Sequence, residues 1–417
     1  MDFFNKIFRG DRVIWMIFLF LCLISIVEVY SASSILTYKT DYWKPILRHS
    51  LFLIVGMGIV LGIHAIPPKF FSIIGILLPI MWILLAVTLF MGQINDSSRW
   101  LVIGGASFQP SEFAKLCLIV FAAFMLSKHK EDKEDQRFRW IIIATAITCA
   151  LIFKENGSTA ILLFVVIYLM MLIGQIPWKK MWKLTLIVCC IGGIFTAFLL
   201  LIPMETLQKK PYNITRFDTW KSRIESFSEK KVSVRDPEFK IYKDKGQNHK
   251  DNYQESHSKI AIANGGIVGK MPGNSVERDF LPQAFSDFIY AIIIEETGLA
   301  GGFCILLFYV ILLIRAGFIA NRSEKLFPKF VVMGAALLLF IQALTNMAVA
   351  VGLIPVTGQT LPLISRGGTS IWVTCVYFGI ILSVSRFDNP KGIKREEEIE
   401  AELIEQREIS LAEGGNL

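Results

Sequence analysis

The side chain with the clearest capacity for chemistry is Asp287, which lies where a long polar segment re-enters an apolar one. An ionisable group at a membrane boundary is costly to desolvate, so it is read first as a functional-site hypothesis. A carboxylate there can take the proton of a nucleophile, which is general base catalysis. Asp287 would also serve as an ordinary helix N-cap. The surrounding residues must decide between these two interpretations.

Two other segments offer charged partners for Asp287. Glu112 and Lys115 are three residues apart at a predicted helix start, so they share a face and can pair. That pair is either a satisfied ion pair at a capped helix end or a charged floor for a polar headgroup. Arg366 lies in the segment 352–370, which has two prolines and four glycines. Its guanidinium offers a bidentate donor fork for phosphate or carboxylate.

Further polar residues have equally open interpretations. Arg99, beside Trp100, is either another cation for a headgroup or an interfacial anchor. Glu155 lies in a very short turn that is either a solvated hairpin or part of the same polar cavity. The glycines near Lys270 would let backbone N–H groups approach an anion, although glycines also make ordinary turns. Glu295 and Glu296 fall in an apolar run and therefore need partners or water.

Several classes of site are disfavoured by the sequence. The five histidines are dispersed, the seven cysteines have no metal-ligand spacing, and no phosphate-binding loop of the Walker type is present. We interpret the net charge of +8 as a consequence of membrane topology and not as a signal for nucleic acid. No nucleic-acid partner is therefore expected.

The elements that must position these residues are membrane helices. The chain is 53% hydrophobic with a mean hydropathy of +0.53, too apolar for a soluble globular protein. Segments long enough to cross a bilayer core of roughly 30 Å recur along it. We predict an all-α integral membrane protein with ten transmembrane helices: Val13–Val29, Leu47–Ile66, Phe70–Met91, Ser111–Leu126, Trp140–Phe153, Ser158–Gly174, Leu184–Pro203, Phe288–Ile314, Phe330–Gly352 and Ser370–Val384. Pro79 can kink the third span.

Basic residues give the orientation. Lysines and arginines are concentrated before the first span and after the fourth, sixth, eighth and tenth, so both termini are predicted to be cytoplasmic. The first span is expected to be retained and not removed as a signal peptide. The large segment 204–286, between helices 7 and 8, is then extracytoplasmic. We expect a membrane domain over 1–390 and an acidic cytoplasmic tail over 391–417. The candidate site residues all collect on the outer face.

The chain resembles the SEDS family (shape, elongation, division and sporulation) at these residues. The resemblance runs from the first helix to about Arg386 and rests on a set of motifs in a fixed order: Arg99-Trp100, Phe108 to Glu112 with Lys115, Gly157 to Ala160, Gln254 to Gly269, Leu281-Pro282 with Asp287-Phe288, Glu295 to Gly298, and Pro355 to Ser370. Within the family, Thr360-Leu361-Pro362 is more similar to the division-type, FtsW-like branch than to the elongation-type branch.

This resemblance implies a ten-helix peptidoglycan glycosyltransferase that polymerises lipid II, an undecaprenyl-pyrophosphate disaccharide-pentapeptide, outside the bacterial cytoplasmic membrane. It implies a class B penicillin-binding protein as the crosslinking partner, other membrane proteins of the division machinery, and a location at the division septum. A divalent cation, Mg²⁺ or Mn²⁺, is expected to assist, with an unknown site. The chain departs from the usual family pattern at several positions: Lys154, Glu155, Gln283, Phe285 and Arg366.

Roles follow from the matching motifs. Asp287 is expected to be the general base, whereas Arg99, Lys115 and Arg366 would neutralise the pyrophosphate as its bond breaks. Glu112 and Glu155 would order Lys115 or hold the cation. The other substrate-binding residues carried over are Gln254 and Ser365. Two alternatives remain: a flippase for the lipid-linked sugar, which predicts essential polar residues at midmembrane or on both faces, and a non-catalytic scaffold, which predicts that loss of Asp287 is harmless.

Overall fold

The computed structural model describes residues 8–32, 43–90, 101–103, 106–128, 134–154, 156–201, 250–281 and 284–387. Within these ranges the regular structure is helical apart from one antiparallel hairpin of two short strands, β1 (Leu101–Ile103) and β2 (Ala106–Phe108), in which Leu101 pairs with Phe108. The protein is an all-α membrane protein that crosses the bilayer several times.

We number the described α-helices in chain order. They are α1 (Arg12–Ala32), α2 (Trp43–His64), α3 (Ser72–Ile76), α4 (Leu78–Phe90), α5 (Pro110–Ser127), α6 (Glu134–Phe153), α7 (Gly157–Ile173), α8 (Trp178–Leu201), α9 (Lys250–Gly265), α10 (Ile289–Arg322), α11 (Leu326–Ala350) and α12 (Thr369–Phe387). Two 3₁₀ turns, Pro68–Phe71 and Glu277–Asp279, lie between them.

Each predicted span overlaps a described helix, and the third overlaps a 3₁₀ turn and two helices, α3 and α4. Eight of the described helices are long and apolar enough to cross a membrane: α1, α2, α5, α6, α8, α10, α11 and α12. The segments Pro68–Ile76 and Leu78–Thr88 meet at a bend of 42° and together would make a ninth. Pro79 lies beside this bend, where the sequence predicts a kink. The helix α7 has 17 residues and is shorter than the other candidates.

The helices α6 and α8 each begin six residues before their predicted starts, at Glu134 and Trp178, and two further differences concern α9 and α10. The predicted extracytoplasmic loop contains α9, whose end packs tightly on α10: a Cβ on Gly265 would lie 2.0 Å from the carbonyl oxygen of Ile294. Tertiary packing of this kind stabilises a helix whose own sequence is weakly apolar. The helix α10 runs on to Arg322, beyond the predicted end at Ile314, and Gly298 interrupts it with φ 74° and ψ −179°.

The helices at the centre of the bundle carry most of the polar groups that concern the site. In α5, α11 and α12, 72% of the residues in the most apolar 18-residue stretch of the helix are buried, whereas in α8 only 6% are buried. A helix surrounded by other helices can hold polar side chains because partners are at hand, whereas one facing lipid cannot. The fold therefore brings α5, α11 and α12 together around the segment that leads into α10.

Candidate active site

Asp287 lies in the turn that leads into α10, two residues before its first residue, Ile289, and is half-buried. Ser286 Oγ donates a hydrogen bond to Asp287 Oδ1 at 2.9 Å. The other carboxylate oxygen faces Gly358, where an added Cβ would lie 3.6 Å from Asp287 Oδ2. The carboxylate is thus held against the segment that joins α11 to α12, which we call the α11–α12 loop (residues 351–368).

Three consecutive carbonyl groups ahead of α10 are bound by neighbouring elements. Phe285 O accepts from the backbone N–H of Arg366 at 3.0 Å, and Ser286 O accepts from Ser365 Oγ at 2.6 Å. Asp287 O accepts from Asn346 Nδ2 at 2.9 Å. Because each buried carbonyl has a donor, the backbone that carries Asp287 is fixed in place. Such fixation suits a general base, which needs a set distance to its substrate.

Asn346, from α11, connects the Asp287 turn to the α11–α12 loop. Its side chain is 1% exposed, and its Nδ2 donates to Gln359 O at 2.7 Å as well as to Asp287 O. Gln359 in turn donates from Nε2 to Thr159 Oγ1 on α7 at 2.7 Å. One amide therefore uses both of its N–H groups to join two stretches of irregular backbone.

Lys115 and Glu112 form the ion pair that their spacing predicts. Lys115 Nζ lies 2.8 Å from Glu112 Oε1, and the lysine is fully buried. Nζ also donates to Gln342 Oε1 at 3.4 Å, and Gln342 Nε2 donates to Thr360 O at 3.1 Å. The pair thus belongs to a buried chain of contacts from α5 through α11 to the α11–α12 loop. Both interpretations of this pair include the contact that the structure shows.

Arg366 is half-buried, and its guanidinium lies over the ring of Phe285, 5.4 Å from the centroid. Burial lowers the pKa of Arg366 below its usual value, and the positive charge of Arg48 lowers it further. Arg48 belongs to the first turns of α2 and is exposed. The charge of Arg48 on α2 therefore influences the guanidinium of Arg366, although the two residues are far apart in the sequence.

Ser365 and Gln254, the other substrate-binding residues expected from the resemblance, lie in different settings. Ser365 Oγ accepts from Leu361 N at 2.8 Å while it donates to the Asp287 turn, so its hydroxyl is fully used by the backbone. Gln254 is half-buried on α9. In the described part of the chain no hydrogen bond joins Gln254 to Asp287 or Arg366. Arg99 and Glu155 lie outside the described residues.

Glu295 and Glu296 are both completely buried and serve to hold the segment that follows α9. Glu295 accepts from Lys270 Nζ at 2.9 Å, from Ser275 Oγ, and from the backbone N–H groups of Val276 and Glu277 at 3.2 Å each. Glu296 accepts from Ser31 Oγ on α1. Lys270 therefore pairs with a carboxylate, and the hypothesis that it lines an anion site has no support from these contacts.

A divalent cation does not have a protein-built site in the described part of the chain. No three histidine, cysteine, aspartate or glutamate side chains come close enough there to hold a metal ion. Glu112, one candidate ligand, is bonded to Lys115. Mg²⁺ often binds through one or two carboxylates together with substrate phosphates. The described residues alone do not fit a resident metal, and no catalytic step is assigned to one.

The sequence analysis missed Asn346, Gln342 and Arg48. Asn346 and Gln342 are polar residues four apart within an apolar run, so they share one face of α11. This spacing could have identified them, because polar side chains inside a membrane helix face the bundle interior. Arg48 looked like one of several basic residues near the first outer loop. Only its electrostatic effect on the pKa of Arg366 in the folded chain distinguishes it.

Known proteins of the same architecture can now be compared with this chain. A chain from a structure described as coordinating polymerization and crosslinking by a peptidoglycan synthase complex matches with a TM-score of 0.65 and 22% identity, covering 91% of this chain and 99% of that one. The rod shape determining protein RodA of Thermus thermophilus matches with a TM-score of 0.60 and 21% identity, covering 90% and 97%. These likenesses establish the fold.

Similarity in sequence identifies the family as well as the fold. A probable peptidoglycan glycosyltransferase FtsW of Taylorella equigenitalis is 32% identical over 352 residues, which cover 81% of this chain and 86% of the relative. The protein of the same description from Geobacter sulfurreducens is 28% identical over 391 residues, covering 91% and 96%. The family model FtsW/RodA/SpoVE, described as cell cycle protein, matches residues 11–390. The chain therefore belongs to the FtsW/RodA/SpoVE family, the SEDS family that its motifs indicate.

Proposed function

We propose that this protein is a peptidoglycan glycosyltransferase that polymerises lipid II into glycan strands on the outer face of the cytoplasmic membrane. The FtsW relatives carry that activity in their names, and they align with most of this chain. The observation that carries the proposal is the fixed setting of Asp287. Its backbone is bonded from α11, and the two preceding carbonyl groups are bonded from the α11–α12 loop.

Asp287 acts as the general base in this mechanism. It takes the proton of an acceptor sugar hydroxyl while the oxygen attacks the anomeric carbon of the donor. The new carbon–oxygen bond forms as the bond from the anomeric carbon to the lipid diphosphate breaks, with inversion. The diphosphate leaves with the electron pair, so cationic groups beside it stabilise the transition state. The ion pair of Lys115 and Glu112 acts indirectly. Lys115 donates to Gln342, and Gln342 donates to Thr360 in the α11–α12 loop.

We further propose ten membrane crossings with both termini in the cytoplasm. The distribution of basic residues between the two ends of the bundle supports this orientation. At one end Arg315 Nε lies 2.6 Å from Asp11 Oδ2, and Lys180 pairs with Glu134. The Asp287 turn and the start of α12 belong to the other end, with the loop at 351–368. Basic residues collect at the first end, as expected for the cytoplasmic side.

The protein partners also belong to this proposal. The matched structure is described as a synthase complex that coordinates polymerization with crosslinking. That likeness supports a crosslinking transpeptidase of the class B penicillin-binding type as partner, together with other membrane proteins of the division machinery. We propose a location at the division septum, since the relatives carry the FtsW name. If a divalent cation takes part, the substrate diphosphate has to complete its coordination.

The membrane domain over 1–390 and the acidic tail over 391–417 remain predictions, and the whole tail lies outside the described residues.

The decisive experiment measures glycan strand synthesis from lipid II by the purified full chain with its transpeptidase partner. The partner's transpeptidase is blocked by a β-lactam, so that polymer length reports only the polymerase. Asp287→Asn is the test variant, because it keeps the size of the side chain and removes the base. Ser323→Ala is the matched control at the far end of α10, and its activity is expected to equal that of the wild type.

We expect strands from the wild type and a loss of at least a hundredfold in Asp287→Asn, in line with removal of a general base. Equal synthesis by the variant would remove Asp287 from the mechanism. Absence of strands from the wild type, with the partner demonstrably bound, would contradict the proposed function and favour a flippase or a scaffold. Thermal unfolding of both proteins establishes that the variant is folded.

A further inference from the structure

We propose that Ser25 and His49 are positioning residues for the reaction, because they fix the part of the α11–α12 loop that bonds to the Asp287 turn. Ser25 lies on α1 and His49 on α2, and neither is among the motif residues or near Asp287 in the sequence. The inference rests on the proposed function, in which Asp287 is the general base. It adds a connection from the first two helices to that base.

The first observation is a buried hydrogen bond between Ser25 and the loop. Ser25 Oγ donates to Ile364 O at 2.9 Å, and it also lies 2.7 Å from His49 Nε2. Ser25 is 0% exposed and His49 is 3% exposed. A buried carbonyl group without a donor is costly, so this bond fixes Ile364 relative to α1.

The directions of these hydrogen bonds define the state of the histidine ring. A carbonyl oxygen cannot donate, so the single hydroxyl hydrogen of Ser25 points to Ile364 O. His49 Nε2 must then donate to Ser25 Oγ, which places the ring hydrogen on Nε2. In the described part of the chain His49 Nδ1 has no hydrogen-bond partner. A hydrogen there would be a buried donor without an acceptor, so the ring is neutral.

The residue before Ile364 has a backbone conformation that needs support. Leu363 has φ 65°, in the left-handed region that a residue with a Cβ rarely adopts, and it is 2% exposed. Such conformations persist where the surrounding structure fixes them. Buried side chains bind the carbonyl groups on both sides: Tyr309 Oη on α10 donates to Pro362 O at 2.5 Å, and Ser25 donates to Ile364 O. The turn at Leu363 is therefore fixed from two helices.

The next two residues of the loop bond to the Asp287 turn. Ser365 Oγ donates to Ser286 O at 2.6 Å, and Arg366 N donates to Phe285 O at 3.0 Å. Both donors directly follow the carbonyl group that is fixed from α1, so a change in the direction of the loop there would displace them together. The Asp287 turn would then lose its set position, and a displacement of about 1 Å can lower the rate on the order of 10²-fold.

The first test compares two buried serines. Strand synthesis is measured at saturating and at limiting lipid II, with the partner's transpeptidase blocked by a β-lactam, for Ser25→Ala and for the matched control Ser383→Ala. Ser383 is also 0% exposed, and its Oγ donates to a carbonyl of another segment, Ile66 O, at 2.5 Å. It lies near the opposite end of α12 from the Asp287 turn. The control therefore removes a comparable buried bond far from the site.

We expect kcat of Ser25→Ala to fall about tenfold or more with KM little changed, because the base is displaced while the substrate contacts are kept. Both serine variants should unfold at a lower temperature than the wild type, but Ser383→Ala should keep the wild-type kcat. A normal kcat in folded Ser25→Ala would overturn the proposal. An equal loss of kcat in the two variants would also overturn it, because the effect would then be one of stability alone.

Two histidine variants test the position of the donor. In His49→Gln the amide nitrogen can reach the place of Nε2, whereas in His49→Asn it reaches only the place of Nδ1. We expect His49→Gln to keep kcat within about threefold of the wild type and His49→Asn to lose about tenfold or more. Equal rates for the two variants would contradict a donor role for Nε2.

Nitrogen NMR of the protein labelled at its five histidines reports the state of the ring. The signals of His49 are those that disappear in His49→Gln. They should be those of a neutral ring with its hydrogen on Nε2. A hydrogen on Nδ1 would contradict the bond to Ser25.

Hydrogen exchange needs no substrate and therefore separates this proposal from the proposed function. It is measured by mass spectrometry in peptides that cover 361–368, where the backbone N–H groups at positions 364 to 366 donate hydrogen bonds. Exchange should be faster in Ser25→Ala than in the wild type and unchanged in Ser383→Ala, because only the first variant frees the loop. Unchanged exchange in Ser25→Ala would contradict the proposal.

The two proposals can fail separately. Strand synthesis by the wild type, with normal kcat and normal exchange in Ser25→Ala, would refute the positioning role and leave the glycosyltransferase standing. Faster exchange in Ser25→Ala, without strands from the wild type, would support the connection from Ser25 to the loop and contradict the activity. If Ser25→Ala does not fold, the comparison of His49→Gln with His49→Asn tests the same hydrogen bond.

Discussion

Asn346 is the residue that most directly ties the Asp287 turn to the rest of the protein. Its two N–H groups bond to Asp287 O and Gln359 O, and no other described side chain links these two carbonyl groups. A flipped amide would set its oxygen against both carbonyl oxygens, so the geometry also fixes its orientation. Asn346 is therefore a positioning residue in the proposed mechanism and does not itself touch the reacting atoms.

Replacement of Asn346 by alanine should reduce polymerisation strongly, although the carboxylate of Asp287 is still present. Two buried carbonyl groups would lose their donors, which costs about 1–3 kcal/mol each. A displacement of Asp287 by about 1 Å can lower the rate on the order of 10²-fold. The measurement is the rate of strand synthesis at saturating and at limiting lipid II. We expect the loss mainly in kcat, because the substrate contacts are kept.

The matched control is Asn321→Ala, at the exposed end of the same helix that begins after Asp287. Its activity and thermal midpoint should equal those of the wild type. A folded Asn346→Ala with normal kcat would show that the bond to Asp287 O has no part in positioning. A change confined to KM would argue instead for a role in substrate binding.

The buried ion pair of Lys115 and Glu112 gives a second prediction at this scale. Glu112→Gln leaves a buried lysine without its carboxylate, and loss of one partner of such a pair destabilises by about 3–5 kcal/mol. Lys115→Met leaves the carboxylate alone, at a comparable cost. The double variant removes both charges and should be more stable than either single variant. Thermal unfolding of the four proteins forms a double-mutant cycle.

The cycle has a clear contrary result. If the two single effects simply add in the double variant, the 2.8 Å contact makes no net contribution and the pair is not coupled. Lys128→Met is a matched control, since this lysine lies just past the end of α5 and outside the pair. It should change the thermal midpoint little.

Among the elements, α10 is unusual because a single glycine interrupts it. Gly298 has φ 74° and ψ −179°, and a Cβ there would lie 2.1 Å from the carbonyl oxygen of Ile267. That close approach lets the segment after α9 lie directly on α10, where Leu299 N bonds to Gly266 O at 2.9 Å. The break therefore lets α9 and the segment after it pack directly on the first part of α10.

Substitution of Gly298 by alanine should destabilise the protein substantially. The backbone conformation alone costs a residue with a Cβ about 1–3 kcal/mol, and the contact with backbone atoms of Ile267 adds to this because backbone cannot rotate away. Gly317→Ala, in the same helix, is the control: nothing lies within 4 Å of its Cβ position. It should stay within about 1 kcal/mol of the wild type.

The comparison is made by thermal unfolding in detergent and by limited proteolysis of the segment after α9. Faster cleavage there in Gly298→Ala, with the rest of the bundle intact, would show that the break anchors α9. Equal unfolding temperatures for the two alanine variants would mean that the close approach at Gly298 does not make substitution there more destabilising than at Gly317.

The same elements show what the sequence could and could not predict. The spans were predictable because roughly 20 apolar residues in a row have few other solutions. The helix α9 was not, because its sequence has a polar majority and ends in glycines, and its stability comes from packing on α10. The break at Gly298 could not be predicted from the sequence either, because it depends on the close approach of Ile267 in the folded chain.

At the scale of the whole molecule, the candidate site was partly predictable. Asp287, Lys115 and Arg366 stood out because charged side chains at the edge of an apolar run are rare. The contacts that give them different surroundings depend on partners far along the chain, such as Gln342 for Lys115 and Phe285 for Arg366. No spacing rule relates those pairs, so the cation that pairs with a carboxylate and the cation that lies over an aromatic ring look alike in the sequence.

The number of crossings is the last prediction, and it depends on α7. At about 1.5 Å per residue its 17 residues span about 25 Å, slightly less than a hydrocarbon core of roughly 30 Å. Local thinning of the bilayer accommodates such a difference at modest cost. If α7 crosses, the exposed residues Lys154 and Lys179 lie on opposite sides of the membrane.

Single cysteines at these two positions, in a background without the seven native cysteines, test this in intact spheroplasts. A membrane-impermeant maleimide should label Lys154→Cys from outside and Lys179→Cys only after permeabilisation. If α7 crosses, Asn274→Cys should also be labelled from outside and Ser323→Cys only after permeabilisation, because both positions follow α7. Labelling of Lys154→Cys and Lys179→Cys from the same side would mean that α7 does not cross. The orientation of every later helix would then reverse, which would move Asp287 to the cytoplasmic face and exclude lipid II polymerisation outside the membrane.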